Sequence, residues 1–233
     1  PRVCGVRDTY WRAVTSAALV GMLPAAWLYG GAGWRGLFVS TMCVGLAGVW
    51  KFNWTHPVLV DASAMFYGLW SAVCVMRGLW WLGVPLALLA GATKETSPLF
   101  ACLWAWSPLP LIGLVAPALR LFVRAGDDVL DAENQWILDH PLRASRKYHK
   151  GFPFAVWVLP WGVCIVGLSD LSWQLGAVLV AAYTQCAIAT DTARLYQWAW
   201  PTLALAASTA VPLEWLLPLA VLHLANPFAG NGG

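Results

Sequence analysis

The sequence predicts an all-α, polytopic integral membrane bundle of about eight or nine spans with one amphipathic interfacial helix, on three observations. Of 233 residues, 60% are hydrophobic and 11% charged, against roughly a quarter charged in ordinary soluble domains, so polar side chains are too few to cover a water-facing surface. The apolar residues run continuously instead of alternating. That pattern suits helices, which close their own backbone hydrogen bonds in lipid, and does not suit a barrel. Charges and prolines cut the chain into apolar runs close to the length that crosses a hydrocarbon core about 30 Å thick.

The runs follow in order. The opening stretch, 1–8, is polar and lacks an apolar core with a small-residue cleavage site, so the first run, 13–29, is expected to direct insertion itself. Next come 36–50, 57–76 and 79–93, then 98–123, which carries Pro108, Pro110 and Pro117 and reads either as one kinked span or as two short re-entrant ones. Read as one span, it closes a first helical group at 13–123. A polar segment, 124–153, follows. Within it Val129, Leu130, Ala132, Trp136 and Ile137 recur near helical spacing, which predicts an amphipathic helix over Asp127 to Asp139 lying on the interface. A second helical group, 154–225, holds runs 154–168, 174–190, 198–210 and 213–225. The chain 1–233 is expected to form one transmembrane domain, with Pro24, Pro85 and Pro218 breaking or tilting spans.

Charge then assigns sides. With 98–123 as one span, Arg35, Arg77, Arg120, Arg124, Arg143, Arg146, Lys147, Lys150 and Arg194 share one side, and Arg2, Arg7, Arg12, Lys51 and Lys94 the other. Basic residues concentrate in the cytoplasm, so the amino terminus is expected outside, in the plasma membrane. A net charge of +3, scattered rather than gathered in a stripe, excludes nucleic acid as an expected partner. The six cysteines show no C-x-x-C spacing and read as packing residues. No phosphate-cradling Gly-rich loop, nucleophile elbow or paired-His site is present, which sets aside soluble nucleotide enzymes, serine hydrolases and zinc proteases.

Polar groups at membrane depth are expensive, so they are the candidates for a site. Asp61 lies just inside an apolar run behind Trp54-Thr55-His56-Pro57. It can hold a metal, orient a hydroxyl, act as a base, or bond a neighbouring helix. Lys94 and Glu95 interrupt the connection Gly91 to Pro98. Lys94 is suited to a lipid-linked phosphate or to snorkelling at a helix end, and Glu95 to pairing with it or to acid–base work. Asp127 and Asp131, at i and i+4, either hold a divalent ion or form a solvated face. The cluster Arg143 to Lys150 either binds anionic headgroups or fixes topology. Asp191 and Arg194, at i and i+3, are placed to pair on one helix face. Glu214 and His223 suit interhelical contacts. Most of the 17 tryptophans, Trp104 and Trp198 among them, fit interfacial belts.

Read together, Trp50 to His56, Asp61 with Ala64-Met65-Phe66-Tyr67-Gly68-Leu69-Trp70, Arg77-Gly78-Leu79-Trp80-Trp81, and Ala90-Gly91-Ala92-Thr93-Lys94-Glu95-Thr96 resemble the middle of polytopic glycosyltransferases of the GT-C superfamily, over about residues 34–100. The resemblance implies transfer of a sugar from a polyprenyl-phosphate donor at the outer membrane face, commonly with a divalent ion such as Mg or Mn. It implies Lys94 at the donor phosphate and Asp61 at the mouth of a span. The family carries a catalytic acid in a first outer loop after an initial span; here that part falls to Asp8, in the short polar stretch before the first run, unless catalysis is lost. Asp61, Asp8 and Glu95 are thus the expected catalytic carboxylates, Asp61 and Asp8 the expected metal ligands, and Lys94, His56 and Arg194 the expected substrate-binding residues. The Arg194 segment resembles one that touches lipid phosphate in such transferases, which requires it to face outward. The alternative is a non-catalytic transporter-like or structural membrane subunit, in which Asp61, Lys94 and Glu95 form a polar relay or interhelical pairs.

Overall fold

A computed structural model describes residues 4–55, 60–122, 139–188 and 192–225, with side chains over 9–55, 60–120, 139–187 and 194–225. The described residues are helical, with no strand among them, as the continuous apolar runs require. The helix expected over Asp127 to Asp139 and the Asp127–Asp131 pair lie outside the described residues, except Asp139.

The elements are α1 (Cys4–Tyr29), α2 (Gly33–Val44), a π turn (Ala47–Lys51) running into α3 (Phe52–Thr55), α4 (Asp61–Met76), α5 (Trp80–Thr93) and α6 (Ser97–Ala105). A 3₁₀ segment (Leu109–Leu114) leads into α7 (Val115–Phe122). Then come α8 (Pro141–His149), α9 (Phe154–Val158), a 3₁₀ segment (Leu159–Asp170) and α10 (Trp173–Ile188). The chain finishes with α11 (Thr192–Tyr196), α12 (Trp200–Ala210) and α13 (Leu213–Leu224). Among the described residues no single helix is both long and apolar enough to cross a membrane; α8 with the stretch Phe154–Asp170, bent by 115°, passes that test of length and composition as a pair.

Hydrogen bonds across the bundle fix which helix ends lie together. At one end Arg12 donates to Trp54 O at 3.5 Å and Arg120 donates to Ala92 O, while Ser145 donates to Cys186 O. At the opposite end Arg77 donates to Leu28 O at 3.3 Å and Thr209 donates to Asp170 Oδ2 at 3.3 Å. The core between them joins both helical groups. Tyr29 donates to Trp104 O at 3.1 Å and meets Thr202 Oγ1 at 3.2 Å, and His223 Nε2 lies 2.9 Å from Met42 O.

The expectation of one span over 98–123 is corrected. Helix α6 stops after three turns at Trp106, whose φ of 50° and ψ of 44° are left-handed, and prolines at 108 and 110 prevent resumption of the α form. The 3₁₀ segment then runs back along α5, where Gly91 and Gly113 meet backbone to backbone; a Cβ on either would overlap the other's helix. With Arg120 bonded to Ala92 O, the segment ends where it began, as a hairpin. Every later element therefore changes end. Among the described side chains, Arg12, Lys51, Lys94, Arg120, Arg143, Arg146, Lys147, Lys150 and Arg194 now share one end, nine in all, and Arg35 and Arg77 the other.

The belt expectation is corrected for the buried tryptophans. Trp34, Trp54, Trp80, Trp81, Trp173 and Trp215 are exposed, whereas Trp104, Trp198 and Trp200 are buried in the core, because the hairpin brings α6 and the start of α12 into the centre of the bundle.

Candidate functional site

The first turn of α4 places Asp61 beneath the connection from α5 to α6, and the strictly local geometry there is set by small residues. Ser97, the first residue of α6, donates to Ala64 O at 2.8 Å, and a side chain at Gly68 would collide with Ser97 Oγ. That close approach delivers Lys94, which ends α5 in an extended conformation, onto Asp61. The Lys94 ammonium is ion-paired with Asp61 Oδ1. From the other helical group, Arg194 Nε lies 3.0 Å from Asp61 Oδ2. One carboxylate thus holds two cations, one on each oxygen.

Aromatic rings finish the two cation sites. Lys94 Nζ sits 5.4 Å from the centroid of the Trp198 ring, and Arg194 Cζ sits 5.4 Å from that of Phe52, both within cation–π range. Trp198 stacks on Trp104 with centroids 6.0 Å apart and an 11° interplanar angle. Behind Arg194, Gln197 holds the backbone: Gly48 N–H donates to Gln197 Oε1 at 2.6 Å, and Gln197 Nε2 donates to Pro160 O at 3.1 Å. Asn53 Nδ2 donates to Gly48 O and Val49 O at 3.2 and 2.9 Å, bracing the π turn. The side chains of Lys94 and Arg194 keep 14% and 15% of their surface and that of Asp61 only 3%, so a molecule approaching from outside meets the cations first.

Among the described residues, the side chains of Lys94, Arg194 and Asp61 together carry a formal charge of +1, two cations and one carboxylate, in a setting walled by aromatics. Anions are attracted to such a site, and the effect grows as water is excluded. A divalent cation is repelled by it. Among the described residues no group of three or more His, Cys, Asp or Glu gathers as a metal site, and both Asp61 oxygens already face a cation, so the described donor set does not fit a divalent ion.

Of the sequence-derived site residues, Asp61, Lys94 and Arg194 are brought together. Glu95 is exposed on the outer side of the turn, with Lys94 directed away to Asp61. Asp8 lies in the first turns of α1, one turn before Arg12 and at the same end of the bundle, but its side chain is outside the described residues, as are His56 and Asp191. Trp198, Phe52 and Gln197 are additions. Trp198 follows Arg194 by four residues, the spacing that puts two side chains on one helical face, and that spacing was the available signal. Glu214 is exposed at the start of α13, while His223 makes the interhelical contact expected of it.

No family model, curated protein or solved structure matches this chain.

Proposed function

We propose that the protein is a polytopic membrane glycosyltransferase that binds a polyprenyl-phosphate sugar through Lys94 and Arg194 and transfers the sugar at the outer membrane face. The observation that carries this reading is the two-cation clasp on Asp61, at +1 and reached through its cations. A phosphate leaving group requires positive charge in place before the bond to it breaks. A second support is position. Asp61 opens α4 and Lys94 follows α5, so the cations sit at helix ends, where a lipid headgroup lies, and not at helix middles, where transporters gather their polar groups. The exposed apolar side chains, among them Trp80, Trp81, Val180, Trp215, Leu217 and Val221, suit contact with lipid.

In this proposal Lys94 and Arg194 engage the phosphate oxygens and Asp61 positions both. The acceptor hydroxyl oxygen bonds to the sugar's anomeric carbon as the bond from that carbon to the phosphate oxygen breaks, and the hydroxyl proton passes to a carboxylate. Asp61 is engaged by its two cations, and of the two other expected carboxylates, Asp8 and Glu95, this proposal gives that role to Asp8; the steps described need no metal ion.

The test uses the purified protein in detergent. Polyprenyl monophosphate is expected to raise its melting temperature, and Lys94→Gln and Arg194→Gln each to weaken that binding by about tenfold or more, the equivalent of one charge-assisted hydrogen bond. Asp8→Asn is expected to abolish transfer and leave binding intact. Unchanged affinity in both cation variants overturns the reading.

A further inference from the structure

Helix α8 is built on a seam. Ala144 and Ser145 are buried at 4% and 5% exposure, Ser145 donates to Cys186 O and lies 3.1 Å from His149 Nδ1, and this side packs on α10. Arg143, Arg146 and Lys147, at i, i+3 and i+4, fall on one helical stripe, which points away from that seam, Lys150 follows just past the end of the helix, and all four are exposed. The chain then bends by 115° into Phe154–Asp170, with Phe154 79% exposed at the corner and Leu142 and Tyr148 exposed beside the stripe.

From these observations we infer that α8 is a headgroup-binding element whose occupant is the anionic phospholipid of the bilayer surface. The bend carries the argument. If the stretch after Phe154 crosses the bilayer, α8 lies close to the membrane plane, at the depth of the phosphates, with Phe154 inserted below it. A group of four cations there is attracted to anionic lipid by an amount that falls with ionic strength. Exposed arginines and lysines flanked by Leu142, Tyr148 and Phe154 pair charge with apolar anchoring, as interfacial helices do. The inference rests on the membrane reading but not on sugar transfer, and it concerns residues remote in sequence from Asp61 and Lys94.

The experiment reconstitutes the full chain into phosphatidylcholine liposomes carrying trace spin-labelled phosphatidylglycerol or spin-labelled phosphatidylcholine. Motionally restricted phosphatidylglycerol is expected to exceed phosphatidylcholine by about threefold to tenfold at low salt, and the excess to fall away near 1 M salt. The combined variant Arg143→Gln, Arg146→Gln, Lys147→Gln, Lys150→Gln is expected to lose the preference, whereas Arg35→Gln, an exposed cation at the opposite end of the bundle, keeps it. Equal restriction of the two lipids by the parent protein, or an undiminished preference in the combined variant, overturns the inference. Retention on heparin without a phosphatidylglycerol preference also overturns it, by assigning the stripe to a soluble polyanion. Failure of the chain to incorporate into any liposome is a different result, and it removes the membrane reading itself.

Discussion

At the scale of the residue, Asp61 decides the site. Two cations face each other across one buried carboxylate, and the pairing holds only while that carboxylate is charged. Asp61→Asn is expected to destabilise the protein by about 3–5 kcal/mol, because it strands two buried cations. Adding Lys94→Met removes their mutual repulsion and is expected to return part of the loss. Denaturation of the three variants in detergent measures this, and an Asp61→Asn protein as stable as its parent contradicts the clasp. Asp61 and Lys94 were legible in the sequence because a charge inside an apolar run stands out. Arg194 was marked in the sequence as well, but its contact with Asp61 was not legible there, since partners across the bundle leave no trace in local spacing. Trp198 was misread as a belt residue, because a tryptophan at the edge of an apolar run looks the same whether the edge faces headgroups or the core.

At the scale of the element, the hairpin from Ser97 to Phe122 is what set the sequence reading astray. Pro108, Pro110 and Pro117 permit a kinked span or a reversal, and the reversal is made at Trp106, a residue whose left-handed backbone has no sequence signature of the kind glycine provides. The docking contact between Gly91 and Gly113 depends on two missing side chains. Gly113→Ala is expected to cost about 1–3 kcal/mol, as overpacking does, and to expose the 3₁₀ segment to limited proteolysis; cleavage no faster than in the parent would show that the hairpin docks elsewhere. Helix α8 gives a pH prediction. Partial burial lowers the His149 pKa from the ordinary 6.5, more than its hydrogen bond with Ser145 raises it. The folded protein therefore binds this proton less readily than the unfolded chain. Stability from His149 is fully present above about pH 6.5 and declines as pH falls below that value toward the folded pKa. The decline is expected to flatten in His149→Gln, measured by chemical denaturation across that range.

For the whole molecule, helix content was legible and handedness of the ends was not. The continuous apolar runs predict helices irrespective of how they are joined, but one reversal at Trp106 exchanges the ends of everything after it. That exchange brings Arg194 to Asp61 and also gathers nine described basic side chains against two. Basic residues favour the cytoplasm, so the charge count alone points to the face opposite the one the proposed lipid-sugar chemistry uses. Lys94, Arg120 and Arg194 are bonded to Asp61 and Ala92 O, and the cations of α8 are the ones proposed above to bind headgroups, so these cations have reasons for their positions besides topology. Tyr148→Cys is expected to react with an impermeant maleimide in intact cells, and Trp34→Cys, at the opposite end, to react only after permeabilisation. The reverse pattern moves the site to the cytoplasm and with it the donor.

The clasp is also assembled in a fixed order during synthesis. Asp61 and Lys94, 33 residues apart, emerge early and neutralise each other, whereas Arg194 is translated 100 residues after Lys94 (194 minus 94), roughly 5–20 s later at about 5–20 residues per second. Until it arrives the nascent chain carries a neutral pair, which on the proposed membrane reading inserts at lower cost than a lone charge. The second cation is the last part to be supplied, so under the proposed function a chain interrupted before α11 holds no competing trap for lipid phosphate.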